Sequence, residues 1–441
     1  MMPLALIMLK KGFRVAGSDR GYDQGLSPEK FNNLTQMGVC LHPQDGSGLN
    51  NDVGVLVVSS AIEPSIPDVK ISIEKGISIR KRADVLSEVF HLSNCSIGVS
   101  GTSGKSTVTG MIATILQECD FNPSMMNGGR VANLEDDGHT PVGNYLVGGG
   151  DSFVSEMDES DGTIDLFSPD IAVINNIALD HTSLDILENH FNQFIARSQK
   201  AVVANADNKR VMSLDLPENC MRFSLNEQNA QYFGYDLNPT PRGISFHIKG
   251  KIVRLSVPGE HNVYNALAAL CVADNMGIAV DSAIAGLEKF TGIHRRLQFL
   301  GCTQNNVTII DDFAHNPDKL AASLQTLKNF EGRLVILFQP HGFAPLQLMG
   351  KEMAQVFGRF LGKDDVLCIP EVYYAGGTVD RSVTSKDFVE MIKHEGVRHA
   401  SWFETRLSIK PYIDDILRSG DRLVVMGARD DTLTDFAKSF L

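Results

Sequence analysis

Residues 96–107 read Ser-Ile-Gly-Val-Ser-Gly-Thr-Ser-Gly-Lys-Ser-Thr and carry the strongest structural signal in the chain. A β-like run enters a glycine-rich turn, and a helical pattern follows from Thr107 to Leu116. Glycines let successive backbone N–H groups curl around an anion, and the start of a helix adds partial positive charge. Lys105 supplies a full charge, and the Ser106 hydroxyl is placed to reach a Mg²⁺ ion that bridges phosphates. The stretch therefore predicts a phosphate-binding loop, although position 99 is valine where the common loop has glycine.

Strands and helices alternate along the whole chain. The first section ends near residue 92, a new strand opens at Ser96, and a third section begins near Leu300. Such alternation predicts parallel sheets flanked by helices. The chain has 441 residues, more than a single hydrophobic core of about 250–300 residues accommodates. We therefore predict an α/β protein of three domains, each with a mainly parallel sheet, at residues 1–92, 93–297 and 298–441, with a P-loop ATPase-like domain in the middle.

The overall composition narrows the class of protein. Hydrophobic residues make up 43% and charged residues 21%, as in globular rather than disordered chains. The net charge of −13 disfavours binding along a nucleic acid backbone, and the longest apolar runs fall well short of the ~20 residues that span a bilayer. Seven cysteines form no CxxC pair, which indicates free thiols in a reducing compartment. We expect a cytoplasmic protein that binds neither nucleic acid nor membranes.

Five polar segments follow the phosphate loop in a fixed order. Residues 155–161 read SEMDESD, 175–181 read NNIALDH, 258–266 read PGEHNVYNA, 292–301 read GIHRRLQFLG and 311–317 read DDFAHNP. Together with the loop, these segments resemble the ordered motifs of the Mur ligases, and most closely those of the alanine-adding branch. Mur ligases use ATP to join an amino acid or peptide to a UDP-linked muramic acid carboxylate. The resemblance spans nearly the whole chain.

The resemblance implies an ATP and Mg²⁺ site in the middle domain. Glu156 and His181 each follow a strand-like run and are expected at the carboxyl edge of the sheet, where the family uses them as metal ligands. A solvated acidic turn is the alternative for Glu156. The implied catalytic residues are Lys105, Glu156, His181, Arg296 and Asp312, and the implied Mg²⁺ ligands are Ser106, Glu156 and His181. The implied ATP-binding residues are Gly101, Thr102, Ser103, Gly104, Lys105, Ser106, Thr107, Asn265, Arg296 and Asp312.

In two places these motifs contain a pair of similar residues, of which only one is expected to contact the nucleotide or the transferred phosphate. Asn262 and Asn265 share one face of a helix start, from which an amide would reach an adenine edge. Because asparagine at a helix start is often an N-cap, we assign one of them to capping and favour Asn265 for the nucleotide. Adjacent arginines usually point in opposite directions, so one of Arg295 and Arg296 is expected to act on the transferred phosphate. The resemblance favours Arg296.

The N-terminal section resembles the UDP-sugar domain of the family in part. Ser59-Ser60-Ala61 is similar to its SSAI segment, and Asp19 is similar to its first-domain acid, so Asp19, Ser59 and Ser60 are implied UDP-sugar ligands. Family members begin with a strand and a glycine-rich turn, whereas this sequence begins within a helix. We expect either that the natural start lies upstream or that the sugar site is incomplete.

The segment implied to bind the amine departs from the family. Alanine-adding members carry His-Arg-Tyr-Thr-Arg after Phe-Gln-Pro, and the two arginines suit a carboxylate by bidentate pairing. Residues 338–345 read FQPHGFAP here, so both arginines are absent. His341 remains, His315 belongs to the neighbouring motif, and Arg429 or Arg381 is a candidate substitute. The amine donor is then L-alanine or, as in the branch that recycles murein tripeptide, a peptide.

The sequence as a whole predicts an ATP-dependent ligase of peptidoglycan synthesis in the bacterial cytoplasm, a monomer or homodimer. It would form an amide bond through an acyl phosphate between a UDP-N-acetylmuramate-type precursor and L-alanine, with ATP and Mg²⁺. A tripeptide-adding ligase is the alternative within the family. Outside it, a non-catalytic nucleotide-binding paralogue and a P-loop kinase remain open, although a kinase would leave the other five motifs unexplained.

Overall fold

The structure is a computed structural model that describes residues 1–26, 28–59, 62–140, 142–159, 162–178, 184–373, 380–428, 430 and 432–441. The chain divides into two compact units. The first comprises Met1–Asp236, His247–Val253 and His261–Phe290, and the second comprises Leu237–Phe246, Arg254–Glu260 and Thr291–Leu441. Within the described ranges, every helix is too short or too polar to cross a bilayer.

The N-terminal part of the first unit contains short strands that associate two by two. Its helices are α1 Met2–Lys10, α2 Arg20–Asp23, α3 Pro28–Gln36, α4 Pro67–Glu74 and α5 Arg82–His91. Its strands are β1 Ala16–Ser18, β2 Cys40–His42, β3 Val55–Val58 and β4 Ser78–Lys81. β1 pairs with β2 and β3 with β4, both in parallel, as two separate two-stranded sheets. The predicted alternation of helices and parallel strands is therefore present in this part.

One hydrophobic cluster joins this part to the centre of the first unit. The ring of Phe90 on α5 is fully buried and contacts the ring edges of Phe153 and Phe167, with centroids 5.8 and 5.4 Å away. Leu6 and Ile7 of α1 are buried in the same cluster. The domain boundary that we place at residue 92 thus falls where two sections share a core, and the bounds of the three domains remain predictions.

A ten-stranded sheet follows in the chain. Its strands are β5 Cys95–Ser100, β6 Ser124–Met126, β7 Tyr145–Leu146, β8 Ser152–Glu156, β9 Ile171–Ile174, β10 Ala201–Asn205, β11 Met221–Ser224, β12 Tyr232–Thr240, β13 Gly243–Ile248 and β14 Lys251–Leu255. The helices of this region are α6 Lys105–Glu118, α7 Ala132–Asp136, α8 Leu184–Ala196, α9 Glu260–Asn275 and α10 Val280–Leu287, with 3₁₀ turns at Thr163–Leu166 and Val211–Ser213. The strand order is β14-β13-β12-β11-β10-β9-β5-β8-β6-β7.

The position of β5 in this sheet determines what surrounds the phosphate loop. β5 lies between β9 and β8 and is parallel to both, with Val99 opposite Glu156 and Ser100 opposite Ile174. The carboxyl ends of these three strands therefore lie side by side. The loop, the acidic segment after β8 and the two asparagines after β9 consequently meet at one edge.

The second unit contains a six-stranded sheet covered on both faces. Its strands are β15 Gln298–Cys302, β16 Thr308–Asp312, β17 Leu334–Gln339, β18 Val366–Pro370, β19 His399–Phe403 and β20 Arg422–Gly427, in the order β15-β16-β20-β17-β18-β19. Its helices are α11 Pro317–Lys328, α12 Phe343–Phe360, α13 Ser385–His394, α14 Arg406–Ile416 and α15 Leu433–Lys438. All pairs are parallel except β15 with β16. Every residue of β17 and β20 is buried, which explains their continuous apolar sequences.

The predicted fold class, α/β with mainly parallel sheets flanked by helices, is confirmed. α6 spans Lys105–Glu118 and so contains the helical pattern at Thr107–Leu116, with two further residues at each end. α9 begins at Glu260, two residues before Asn262, after Gly259 with φ 99°. Asn262 therefore lies inside the first turn of α9, and its interpretation as an N-cap is wrong.

Candidate active site

The phosphate loop joins β5 to α6 and has two glycines in left-handed conformations. Gly101 has φ 133° and Gly104 has φ 84°. A Cβ atom at Gly104 would lie 2.5 Å from Asn265 Oδ1 and 2.6 Å from Asn175 Nδ2. Glycine is therefore required at this position both for conformation and for space. Because α6 begins at Lys105, the N–H groups of its first turn, which have no acceptor within the helix, lie at the end of the loop.

Asn176, which follows β9, fixes the middle of the loop. Its Oδ1 accepts hydrogen bonds from Thr102 Oγ1 at 2.9 Å and from the Ser103 N–H at 2.8 Å. Its Nδ2 donates to the Ser103 carbonyl at 2.8 Å. Thr102 and Ser103, both predicted ATP ligands, therefore belong to a loop whose conformation is set by the neighbouring strand.

A chain of three buried amides lies behind the loop. Asn175 Nδ2 donates to Asn265 Oδ1 at 2.9 Å, and Asn265 Nδ2 donates to Asn262 Oδ1 at 3.1 Å. Asn265 is 3% exposed, and both ends of its amide are bonded to protein groups. The structure thus brings Asn265 against Gly104, where it supports the loop. Its predicted contact with adenine remains a prediction.

Lys105 forms an ion pair with a buried acid that was not among the predicted site residues. Its Nζ donates to the Gly101 carbonyl at 2.8 Å and to both carboxylate oxygens of Glu159 at 2.9 Å. The Glu159 side chain is only 5% exposed. Burial raises the pKa of Glu159, and the adjacent Lys105 ammonium opposes that shift. The acidic segment at 155–161 was the signal that pointed to this residue.

Ser106 and Glu156 meet beside the lysine. The Ser106 hydroxyl donates to Glu156 Oε2 at 2.7 Å, and Asn127 Nδ2 donates to the Ser106 carbonyl at 2.9 Å. A Cβ atom at Gly128 would lie only 2.1 Å from Glu156 Oε1. Gly128 therefore lets the carboxylate approach the loop. Neither Asn127 nor Gly128 stands out in the sequence, because no motif links Asn127 to Ser106 or Gly128 to Glu156.

The oxygen donors of this edge fit a magnesium ion. A hydroxyl and a carboxylate are ligands that Mg²⁺ prefers, and two ligands suffice because the ion keeps waters and phosphate oxygens. Among the described residues, no group of three or more His, Cys, Asp or Glu is arranged to hold a metal. The predicted ligand His181 lies outside the described residues, as do Ser60 and Arg429. Thr107 is buried in the first turn of α6.

The predicted sugar-binding residues of the N-terminal part follow its strands. Asp19 comes directly after β1 and caps α2, since its Oδ1 accepts a hydrogen bond from the Gly21 N–H at 2.7 Å. Ser59 comes directly after β3. Both therefore lie at carboxyl ends of parallel strands, the positions where α/β proteins bind ligands.

In the second unit, Arg295 and Arg296 have different surroundings. Arg295 has φ 60°, donates to the Gly427 carbonyl at 2.7 Å and pairs with Asp311 at 3.4 Å. Its guanidinium also stacks on the ring of Phe313, 5.2 Å from the centroid. Arg296 is exposed. These contacts give Arg295 a structural role and support the preference for Arg296 as the arginine that acts on substrate.

Asp312 is the last residue of β16, and the pKa of its carboxyl group is raised. Its Oδ1 accepts a hydrogen bond from the Ala314 N–H at 3.0 Å. Burial raises the pKa of Asp312 to about 6, against the lowering effect of the Ser323 hydroxyl and the Ala314 N–H. A carboxyl group of this kind changes protonation near neutral pH, which suits either proton transfer or hydrogen bonding to a phosphate.

The two predicted amine-site histidines of the second unit lie together. The rings of His315 and His341 are edge to face, with centroids 4.9 Å apart, and His315 Nδ1 lies 2.7 Å from the Phe313 carbonyl oxygen. Phe343 begins α12 between Gly342 and Pro345, the two positions where the family motif has arginines, and the guanidinium of Arg381 lies 5.5 Å from the Phe343 ring centroid. The structure thus brings Arg381 to the segment from which the arginines are absent.

Comparison with known proteins decides the family. The model described as the Mur ligase family, catalytic domain, matches residues 1–93, the Mur ligase middle domain matches residues 99–273, and the Mur ligase, glutamate ligase domain, matches residues 295–429. A UDP-N-acetylmuramate–L-alanine ligase from Dictyoglomus turgidum is 31% identical over 97% of this chain and 91% of its own length. The chain belongs to the Mur ligase family. It is therefore a ligase, in the family that the sequence motifs resemble.

Further relatives agree with this assignment. The UDP-N-acetylmuramate–L-alanine ligase of Gloeobacter violaceus is 32% identical over 97% of this chain and 90% of its own length. The solved structure of a UDP-N-acetylmuramate–alanine ligase from Thermotoga maritima superposes with a TM-score of 0.80 over 100% of this chain and 95% of that one, at 24% identity. A murein peptide ligase from Psychrobacter arcticus superposes with a TM-score of 0.69 over the same shares, at 22% identity. Both solved structures show that the fold is that of Mur ligases.

Proposed function

We propose that this Mur ligase uses ATP to join the carboxylate of UDP-N-acetylmuramate to the amino group of L-alanine. The names of the relatives that match nearly the whole chain support these substrates. The observation that carries the proposal is the meeting of Lys105, Ser106 and Glu156 at one edge of the sheet. A cation and two oxygen ligands beside a helix start form a site for a nucleotide triphosphate and its metal.

The reaction requires a leaving group better than oxide. A carboxylate oxygen of the sugar attacks the γ-phosphorus of ATP, which releases ADP and forms an acyl phosphate. The amino nitrogen then attacks the acyl carbon, and inorganic phosphate leaves with the former carboxylate oxygen. In the proposed roles, Lys105 and the first-turn N–H groups of α6 hold the phosphates and offset the charge that develops during transfer.

The proposal includes Mg²⁺ at Ser106 and Glu156, with His181 as a third ligand. The ion supplies positive charge that offsets repulsion between the carboxylate and the γ-phosphate. Gly128 leaves room for the Glu156 carboxylate beside the Ser106 hydroxyl, and Asn127 holds the Ser106 carbonyl. The chain therefore orients its own ligands before any substrate is bound, which lowers the cost of organising the site.

The remaining roles are proposed for the residues that the sequence identifies in the N-terminal and C-terminal sections. Asp19, Ser59 and Ser60 are assigned to the UDP-sugar, and Arg296 and Asp312 to the transferred phosphate. His315, His341 and Arg429 are assigned to the amine. As part of the same proposal the enzyme works in the bacterial cytoplasm, as a monomer or homodimer, because ATP and nucleotide sugars are cytoplasmic compounds and the named relatives are bacterial.

A second candidate donor is a peptide such as murein tripeptide. The observation that favours it is the presence of Gly342 and Pro345 around the start of α12, at the two positions where alanine-adding members carry arginines. An arginine pair suits the carboxylate of a free amino acid, whereas a peptide presents its first carboxylate farther from the reacting nitrogen. The two donors therefore predict different specificity from the same phosphate chemistry.

The experiment measures ADP release by the purified chain with ATP, Mg²⁺ and UDP-N-acetylmuramate, with L-alanine or tripeptide as donor. We expect ADP only when nucleotide sugar and donor are both present, with the amide product identified by mass spectrometry. ADP with tripeptide but not with alanine would favour the second candidate. ATP binding without turnover in any mixture would contradict both and favour a non-catalytic paralogue.

A further inference from the structure

The ammonium group of Lys105 is fully used by acceptors of its own chain. A lysine ammonium has three N–H donors. The structure provides three acceptors within 2.9 Å, namely the Gly101 carbonyl and the two carboxylate oxygens of Glu159. A phosphate oxygen can therefore gain a hydrogen bond from Lys105 only if one of these acceptors gives way.

The backbone around Glu159 holds the acid in this position. The Met157 N–H donates to the Val99 carbonyl at 2.8 Å, which fixes the segment to β5. The Ile164 N–H donates to the carbonyl of Asp158, the residue before Glu159, at 3.0 Å. With Met157 itself fully buried, the two residues that precede Glu159 are both held in place. The ion pair therefore starts from an anchored backbone and does not depend on a long side chain reaching in from solvent.

One acidic segment contacts two consecutive side chains of the phosphate loop. Glu156 accepts from Ser106, and Glu159 accepts from Lys105. The first contact leaves a hydroxyl and a carboxylate that suit a cation. The second contact gives Lys105 a negatively charged partner of the same kind as a phosphate. Only 5% of the Glu159 side chain is exposed, so solvent screens its charge weakly. The two acids consequently have opposite effects on a bound metal–triphosphate: one attracts its metal, and the other opposes its phosphates.

We propose that Glu159 is an internal competitor of the triphosphate for Lys105 and that it weakens ATP binding in exchange for a stable, correctly placed lysine. The proposal rests on the ATP-dependent function given above and adds a residue that sets nucleotide affinity. When the phosphates bind, one or both carboxylate oxygens of Glu159 exchange Lys105 for water or for groups of the loop. The Gly101 carbonyl keeps the lysine in place during this exchange.

The test is calorimetric titration of Mg²⁺–ATP into the full chain and two variants, without nucleotide sugar or amine, so that no turnover occurs. In Glu159→Gln the side chain keeps its shape and one acceptor but loses the charge, and we expect the dissociation constant for ATP to fall about five- to tenfold. Asp158→Asn removes the same charge from the exposed neighbouring residue and serves as the matched control. We expect its dissociation constant to equal that of the unchanged protein.

Each outcome decides the proposal. Tighter binding in Glu159→Gln with an unchanged control supports it, whereas equal or weaker binding in Glu159→Gln overturns it. Equal tightening in both variants also overturns it, because the effect would then be general repulsion. Absence of ATP binding by the unchanged protein would overturn the proposed function as well, so the two failures are distinguishable.

A second variant covers the case in which Glu159→Gln does not fold. Glu159→Asp keeps the charge but draws it back by one methylene, and we expect a smaller gain in ATP affinity, about twofold to threefold. Thermal unfolding of each variant verifies the fold. Weaker ATP binding by a folded Glu159→Asp protein would contradict the competition, since it would mean that the contact helps the lysine to bind phosphate.

Discussion

The carboxyl edges of the two large sheets carry polar groups in different ways. At the edge formed by β5, β8 and β9, the polar side chains bond to one another and to the phosphate loop, as Asn176 does to Ser103 and Glu159 to Lys105. At the edge formed by β16, β17 and β20, Asp312 is buried with a raised pKa, and the segment after β17 departs from its family pattern. The hydrogen bonds of the first edge fix the residues proposed for phosphate transfer. At the second edge, the residues proposed to select the amine donor differ from the family pattern.

Removing the loop lysine tests the first edge most severely. In Lys105→Ala we expect ATP-dependent phosphate release to fall about a thousandfold, because charge in the transition state loses its cation. The variant also leaves the Glu159 carboxylate buried without a partner, which we expect to cost about 3–5 kcal/mol of folding stability. Steady-state kinetics and chemical unfolding measure the two effects.

The double variant Lys105→Ala/Glu159→Gln is the control for this prediction. It should recover most of the lost stability, since no unpaired charge stays buried, but none of the activity. Recovery of activity in the double variant would show that the lysine acts only through the fold, and the phosphate role of the first edge would then be wrong.

Gly128 tests whether the approach of Glu156 matters for catalysis. A Cβ atom in Gly128→Ala would lie 2.1 Å from Glu156 Oε1, so the carboxylate must move away from Ser106. We expect kcat to fall about a hundredfold, because displacing a catalytic group by an ångström usually costs that much. The Mg²⁺ concentration that gives half-maximal activity should rise. In Gly54→Ala, where no atom lies within 4 Å of the added Cβ, activity should be unchanged. Normal Mg²⁺ dependence in Gly128→Ala would refute the role of this glycine.

Asp312 tests the second edge through the dependence of stability on pH. Because burial raises its pKa from 3.8 to about 6, its protonated form stabilises the folded chain below pH 3.8, and this contribution is lost as pH rises through about 6. We expect this single group to remove about 2 kcal/mol of unfolding free energy between pH 4 and pH 7. Denaturation of Asp312→Asn at several pH values should show a weaker dependence. Asp318→Asn, at an exposed site in the same unit, should behave like the unchanged protein.

The smallest effect is expected at the amine side. In His341→Gln the edge-to-face contact with His315 is lost, and we expect KM for the amine donor to rise about threefold to tenfold with little change in KM for ATP. His394→Gln, at an exposed site in the last turn of α13, is the control. An equal rise in KM for ATP and for the donor would remove His341 from the amine side.

Much of the first edge could be predicted from the sequence because its chemistry lies in short segments. The residues from Gly101 to Thr107 contain the turn, the cation and the helix start in consecutive positions, and the strand before them fixes where they lie in the sheet. The supporting groups could not be found in this way. Asn175 and Asn176 reach the loop only because β9 lies beside β5, and Gly128 matters only because Glu156 points at it.

The contacts at the second edge and the exact start of α9 were harder to predict, for physical reasons. Strands β17 and β20 are apolar except for Gln339 and Arg422 at one end of each, so the sequence predicts that they are buried but not which side chains surround their ends. The contact between Arg381 and Phe343 joins segments 38 residues apart and leaves no local pattern. The wrong N-cap at Asn262 arose because the helix continues one turn beyond its apolar pattern, through Glu260 and His261.

The central claim is that ATP activates a carboxylate as an acyl phosphate at the first edge. UDP-N-acetylmuramate labelled with ¹⁸O in its carboxylate tests it directly, by mass spectrometry of the phosphate formed during turnover with the amine donor. The account predicts that each phosphate molecule released carries one carboxylate oxygen, because the acyl carbon–oxygen bond breaks when the amine attacks. Unlabelled phosphate, formed in step with amide product, would contradict it.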